Sequence, residues 1–146
     1  MLMSPPSTIE VLNRLLVLHE RSLPMYLSYA APDRMRAQPE ATAVLGQIVE
    51  DQKRTIDRLA TIVLDSGGMI DSGEFPMAFT GLHDLSLEYL LKLMVERQKK
   101  LVAACENLAN LLAAAPYAQA AAREALGEAK GHLQNLDELK AKIAGE

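Results

Sequence analysis

Four separate stretches of the sequence each place a polar side chain inside an otherwise apolar repeat: His19, then Gln52 with Thr55, then Gln98, then His132. Imidazole binds Zn, Cu or Ni and exchanges protons near neutral pH, whereas Gln and Thr offer only neutral groups. An unpaired polar group in a core costs roughly 1–3 kcal/mol, so four repeats that each supply one at similar depth imply that these residues meet. His19 and His132 suffice for a single transition metal ion at most, with a Gln or Thr oxygen as a weak third ligand. The plainer account makes them core histidines hydrogen-bonded to Gln52, Gln98 and Tyr26. That account is the expectation: no catalytic residue and no bound metal, with His19 and His132 the ligands if one ion is held.

Other chemistry-bearing residues fit less well. Cys105 has no Cys-x-x-Cys partner and falls on an apolar stripe, where burial raises a thiol pKa and makes it inert. Glu50 points away from the Leu45-Ile48-Leu59 stripe at 100° per residue and reads as solvated. Glu20 borders the His19 stripe and is expected in a surface ion pair with Arg21 or a neighbouring helix. Lys53-Arg54 and Lys99-Lys100 are interspersed with acids and read as solvated faces. Gly67-Gly68 and Gly73 have no phosphate-loop spacing and follow no strand, and Asp65, Asp71 and Glu74 lack the order of a calcium loop.

The elements that must position these residues are helices. Ser7-Thr-Ile-Glu10 has the spacing of a capping box. From it Ile9, Leu12, Leu16, His19, Leu23, Tyr26 and Ala30 recur at steps of three and four, so the spacing predicts a first helix over about 8–30, bent at Pro24. Leu45, Ile48, Gln52, Thr55, Leu59 and Ile62 mark a second over about 40–66, stopped by Gly67-Gly68. Leu87, Leu91, Met94, Gln98, Leu101, Cys105, Leu108 and Leu112 mark a third over about 84–114. Ala122, Ala125, Ala129, His132, Leu136, Leu139 and Ile143 mark a fourth over about 118–143. Gly67 to His83 reads as a helix-free crossover. A helix of about 26 residues is roughly 39 Å long, and some 16 extended residues reach about 50 Å, so the crossover lets the second and third helices point the same way. Up-down-down-up with one crossover is the ferritin-like arrangement, and the plainer alternative is a helical domain with an ordinary omega loop in that stretch.

The whole chain supports one domain over 1–146. It has 146 residues, 49% of them hydrophobic and 23% charged, which is a globular composition. The net charge of −4 argues against nucleic acid. No stretch approaches the roughly 20 apolar residues of a membrane span, and Met1 to Pro6 lack a leader's basic start, so the expectation is a cytoplasmic protein with no membrane partner. The first helix carries a second apolar stripe of Val11, Leu15, Leu18, Ser22, Met25 and Tyr29, about 100° from the first, which predicts a homodimer through that helix.

Leu12-Asn13-Arg14-Leu15-Leu16 followed by His19, Leu23, Tyr26 and Ala30 resembles the first helix of bacterioferritin, in the ferritin-like superfamily. In that family the position of His19 is a metal-binding Glu, and a Tyr corresponds to Tyr26. Asp57-Arg58-Leu59 with Gly67-Gly68 resembles the stretch after the family's Glu-x-x-His, which lays that motif onto Gln52-x-x-Thr55. His132-Leu133 with Leu136 resembles the family's final His, and the matching Glu becomes Ala129. In the third helix local similarity around Cys105-Glu106 points to Leu91 as the ligand position, whereas depth points to Gln98, which is preferred. The resemblance therefore implies a di-iron site from which the bridging carboxylates have gone, with only His132 kept as a family ligand. The expected function is a non-catalytic scaffold or interaction protein with a degenerate di-metal site. The alternatives are a metal-binding redox protein using His19 and His132, or a small-ligand carrier using a cavity at the bundle centre.

Overall fold

The computed structural model describes residues 6–82 and 84–145. Met1–Pro5, which carry most of the leader reading, His83 at the end of the crossover, and Glu146 lie outside the described residues. Helix dominates, and the described residues contain no strand. No helix among them is long and apolar enough to cross a membrane.

Helix α1 (Thr8–Glu20) starts where its cap predicts: the Ser7 hydroxyl accepts the Glu10 N–H at 3.1 Å. The chain then departs from the expected single bent helix. It breaks at Arg21-Ser22 and restarts as α2 (Leu23–Ala30). The Ser22 hydroxyl caps the new helix by accepting from the Met25 N–H at 3.2 Å. Pro24, in the first turn of α2, lacks an N–H where none is needed. The apolar repeat runs on through the break because both segments bury the same face.

A short α3 (Asp33–Arg36), absent from the sequence reading, leads into α4 (Pro39–Asp65). Gly67 takes a φ of +80° just past α4, the conformation that makes glycine a helix stop. The crossover is not helix-free, since Met77–Gly81 form a 3-10 helix that buries Phe79. Helix α5 (Leu87–Asn110) begins after the Ser86 cap, later than the periodicity indicates, and ends four residues early in a turn over 111–114. Helix α6 (Pro116–Ala144) starts two residues early, with Pro116 in its first turn.

The buried side chains form two apolar clusters. One joins α1 (Val11, Leu12, Leu15, Leu16) to the later halves of α4 and α5 and the early half of α6. The other joins α2 to the early halves of α4 and α5, the later half of α6 (Leu136, Leu139), and Phe79 of the crossover. His19, Gln52, Gln98 and His132 fall between the clusters along their helices, and each is 5% exposed or less.

The crossover is pinned to α1. Asn13 donates to the Met69 carbonyl at 2.9 Å and accepts from the Asp71 N–H at 3.0 Å. It runs close: a Cβ on Gly73 would stand 2.6 Å from Val17 Cγ1, and one on Gly68 2.9 Å from Ile9. Part of the wide apolar arc of α1 is thus covered within the chain. Of the second stripe, Val11, Leu15 and Met25 are buried, Leu18 and Ser22 half-buried, and only Tyr29 is exposed.

Candidate functional site

The two histidines present different nitrogens. His19 Nδ1 lies 2.8 Å from the Leu15 carbonyl, which can only accept, so Nδ1 carries the proton and Nε2 keeps a lone pair. Burial holds the His19 pKa below 6.5, opposed by the Leu15 carbonyl and reinforced by the nearby His132. His19 is therefore a neutral imidazole at pH 7. His132 Nε2 lies 2.7 Å from Asp51 Oδ2. Burial alone would push the Asp51 carboxyl up. Hydrogen bonds from His132 and Gln47 and the charges around it win, and its pKa lies below 3.8. An ionised carboxylate only accepts, so His132 Nε2 donates and Nδ1 is the nitrogen left.

The amides are engaged as well. Gln98 Nε2 donates to the Ala129 carbonyl at 3.1 Å, which sets α5 and α6 in register at this depth. Leu91 lies two turns away, in the cluster around α2. Gln52 Oε1 accepts the Ser22 hydroxyl at 2.7 Å, so the amide of α4 supports the break between α1 and α2. Gln52 Nε2 is buried without a partner.

A reciprocal pattern links α4 and α6. Asp51, the residue before Gln52, reaches His132 on α6. Glu128, the residue before Ala129, reaches back to Thr55 on α4, whose hydroxyl donates to Glu128 Oε2 at 3.1 Å. In each direction the carboxylate precedes one position of a four-residue motif and touches the last residue of the other.

Compared with known proteins, the chain matches no family model, no curated protein and no solved structure.

Of the six residues expected at the centre, His19, Gln52, Gln98 and His132 are buried between the clusters. Thr55 is half-buried and faces Glu128. Tyr26 departs from expectation: its ring packs among Phe75 and Phe79, with centroids 5.3 and 5.4 Å away, rather than in a hydrogen-bonded network. The expected bonds from the histidines to Gln52, Gln98 and Tyr26 are replaced by bonds to Leu15 and Asp51. Helical geometry explains this. A buried imidazole can reach the carbonyl one turn back, and a carboxylate just off the stripe of a neighbouring helix competes better than a neutral amide.

Glu20 also departs from expectation. Its Oε2 is buried and unbonded, and it joins no ion pair among the described residues. Glu50 is exposed. Cys105 is fully buried, and burial pushes its thiol up to about 11.

Asp51 and Glu128 were not among the sequence candidates. Both lie one residue off an apolar stripe, where a carboxylate usually meets solvent. The signal that finds them is relational, an acid preceding a motif position on each of two facing helices. Among the described residues no group of three or more His, Cys, Asp or Glu side chains is arranged to hold a metal ion.

Proposed function

We propose that the protein is a ferritin-like up-down-down-up bundle whose di-metal centre has degenerated, and that it acts as a non-catalytic scaffold or interaction module. The observation that carries this reading is the reciprocal pair Asp51–His132 and Glu128–Thr55. Carboxylates that orient a histidine through its outer N–H are the usual supporting groups of metal sites. Here that outer layer persists on both helices, while the positions the resemblance assigns to inner ligands hold His19, Gln52, Gln98 and Ala129. Neutral amides and an alanine cannot neutralise two iron cations. The sharing of one cluster by the later halves of α4 and α5 supports the parallel direction of those helices that a ferritin-like crossover requires. Iron loading followed by elemental analysis tests the reading: retention of two irons per chain would end it.

A second reading, one transition ion at His19 and His132, is favoured by the lone pair left on His19 Nε2 and by His132 Nδ1, which makes no hydrogen bond among the described residues. Titration with Zn²⁺ or Co²⁺ distinguishes it, since a His19→Ala variant then loses binding. For partners, the reading is a second copy of this chain along α1. Its case rests on a narrow strip, half-buried Leu18 and exposed Tyr29, because Val11, Leu15 and Met25 are already covered. Sedimentation at micromolar concentration tests it: a dimer split by Leu18→Glu supports the pairing, and a monomeric wild type removes it.

A further inference from the structure

The break between α1 and α2, the crossover and α5 line a half-open pocket of about 350 Å³ beside the polar centre. Its walls are mostly aliphatic, with Val17, Leu101 and Ala104 among them, and Phe79 lies beneath the crossover side. This is the low end of the roughly 300–1,000 Å³ typical of ligand pockets, so it suits one small molecule. Three cations line it, Arg21, Arg97 and Lys100, against one acid, Glu74. That is a local inversion on a chain of net charge −4.

The two arginines are held in position without being neutralised. The Arg21 guanidinium lies 4.9 Å from the Phe75 ring centre and that of Arg97 4.8 Å from the Phe79 ring centre. Stacking on aromatic faces fixes a guanidinium while leaving its in-plane donors open. Among the described residues none of the three cations is in an ion pair, and Arg21 Nε is buried with no hydrogen-bond partner. A partly desolvated donor fork beside an apolar wall is complementary to a carboxylate on a hydrocarbon tail.

We infer that this pocket binds a small amphipathic monocarboxylate, its carboxylate held by Arg21, Arg97 and Lys100 and its tail against Val17, Leu101 and Ala104. The site borders the bundle centre through Gln98, but the groups that would hold the ligand, Arg21, Arg97 and Lys100, belong to none of the readings of that centre.

The test is isothermal titration of the full chain with octanoate, with octylammonium as the charge-reversed probe and 1-octanol as the neutral one. One saturable octanoate site is expected, about tenfold or more tighter than either control, the difference expected of a charge-assisted contact. The double substitution Arg97→Gln with Lys100→Gln, at a half-buried and an exposed position, is expected to weaken octanoate about tenfold. Ala104→Phe, which fills the pocket, is expected to abolish binding, with thermal melts confirming that both variants fold. Absence of a saturable octanoate site in the wild type would overturn the inference. So would equal affinity for octylammonium, or undiminished binding by a folded Ala104→Phe chain.

Discussion

His132 Nε2 and Asp51 Oδ2 stand 2.7 Å apart across the α4–α6 interface, with the imidazole 7% and the carboxylate 13% exposed. Glu128 repeats the relation in the opposite direction by accepting from Thr55. The first pair gives an imidazole with little access to water its one hydrogen-bond partner among the described residues, whereas Asp51 also accepts from Gln47 and pairs with Arg54. Asp51→Ala is therefore expected to cost about 1.5–3 kcal/mol, the range for a hydrogen bond to a charged group. Asp51→Asn, which keeps an acceptor, is expected to cost less. Urea unfolding of the two variants checks the order.

Stability should fall in acid in two steps, each with a determinable sign. The folded pKa of His19 lies below 6.5, so as pH drops through 6.5 the unfolded chain takes the proton first and stability declines. The folded pKa of Asp51 lies below 3.8, so its contribution is complete above that value and is lost as pH falls through the folded pKa. Urea midpoints measured from pH 8 to pH 3 should decline below about 6.5, with the first limb reduced in His19→Leu. A flat profile between pH 6.5 and 4.5 would contradict the neutral, buried state of His19.

Ser22 ties the helix break to the centre, accepting from Met25 and donating to Gln52. Ser22→Ala removes a cap worth about 1 kcal/mol and leaves a second buried amide atom of Gln52 unpaired. Adding Gln52→Met should recover part of the loss, because an apolar side chain needs no partner. A double-mutant cycle by chemical denaturation measures that coupling.

The long elements were legible because burial on one face forces apolar residues into steps of three and four, and that rule holds from Leu45 to Ile62 and from Leu87 to Leu108. The same rule concealed the break at Ser22, since Leu16, His19 and Leu23 keep their face across it and Pro24 suits a first turn as well as a bend. The depth of His19, Gln52, Gln98 and His132 was legible for the same reason. Their partners were not: Asp51 and Glu128 sit just off the stripes, and the Leu15 carbonyl is a backbone group. The wide apolar arc of α1 was visible, but its cover includes the crossover held by Asn13, a polar contact between residues 56 and 58 positions apart.

Cys105 should be silent in the native state. Its thiol is fully buried and its pKa is pushed up to about 11, so at pH 8 it is neither accessible nor ionised. Reaction with a disulfide reagent should be slow and should accelerate in urea along the unfolding curve. Rapid native modification would contradict its burial in the cluster shared by α1, α4, α5 and α6.

If the outer layer is a remnant, refilling the inner positions should restore metal binding. A chain carrying His19→Glu, Gln52→Glu, Thr55→His, Gln98→Glu and Ala129→Glu is expected to be less stable without metal, because like charges crowd a buried layer. Added Co²⁺ or Fe²⁺ should raise its melting temperature.

The most direct measurement is the iron content of the unaltered protein. The chain is loaded anaerobically with Fe²⁺, exposed to air, dialysed against a weak chelator and analysed for iron per chain. The proposed degenerate centre, with His19, Gln52, Gln98 and Ala129 at the inner positions, predicts no stoichiometric iron and no oxidation of Fe²⁺ beyond the buffer rate. Two retained irons per chain with accelerated oxidation would contradict it.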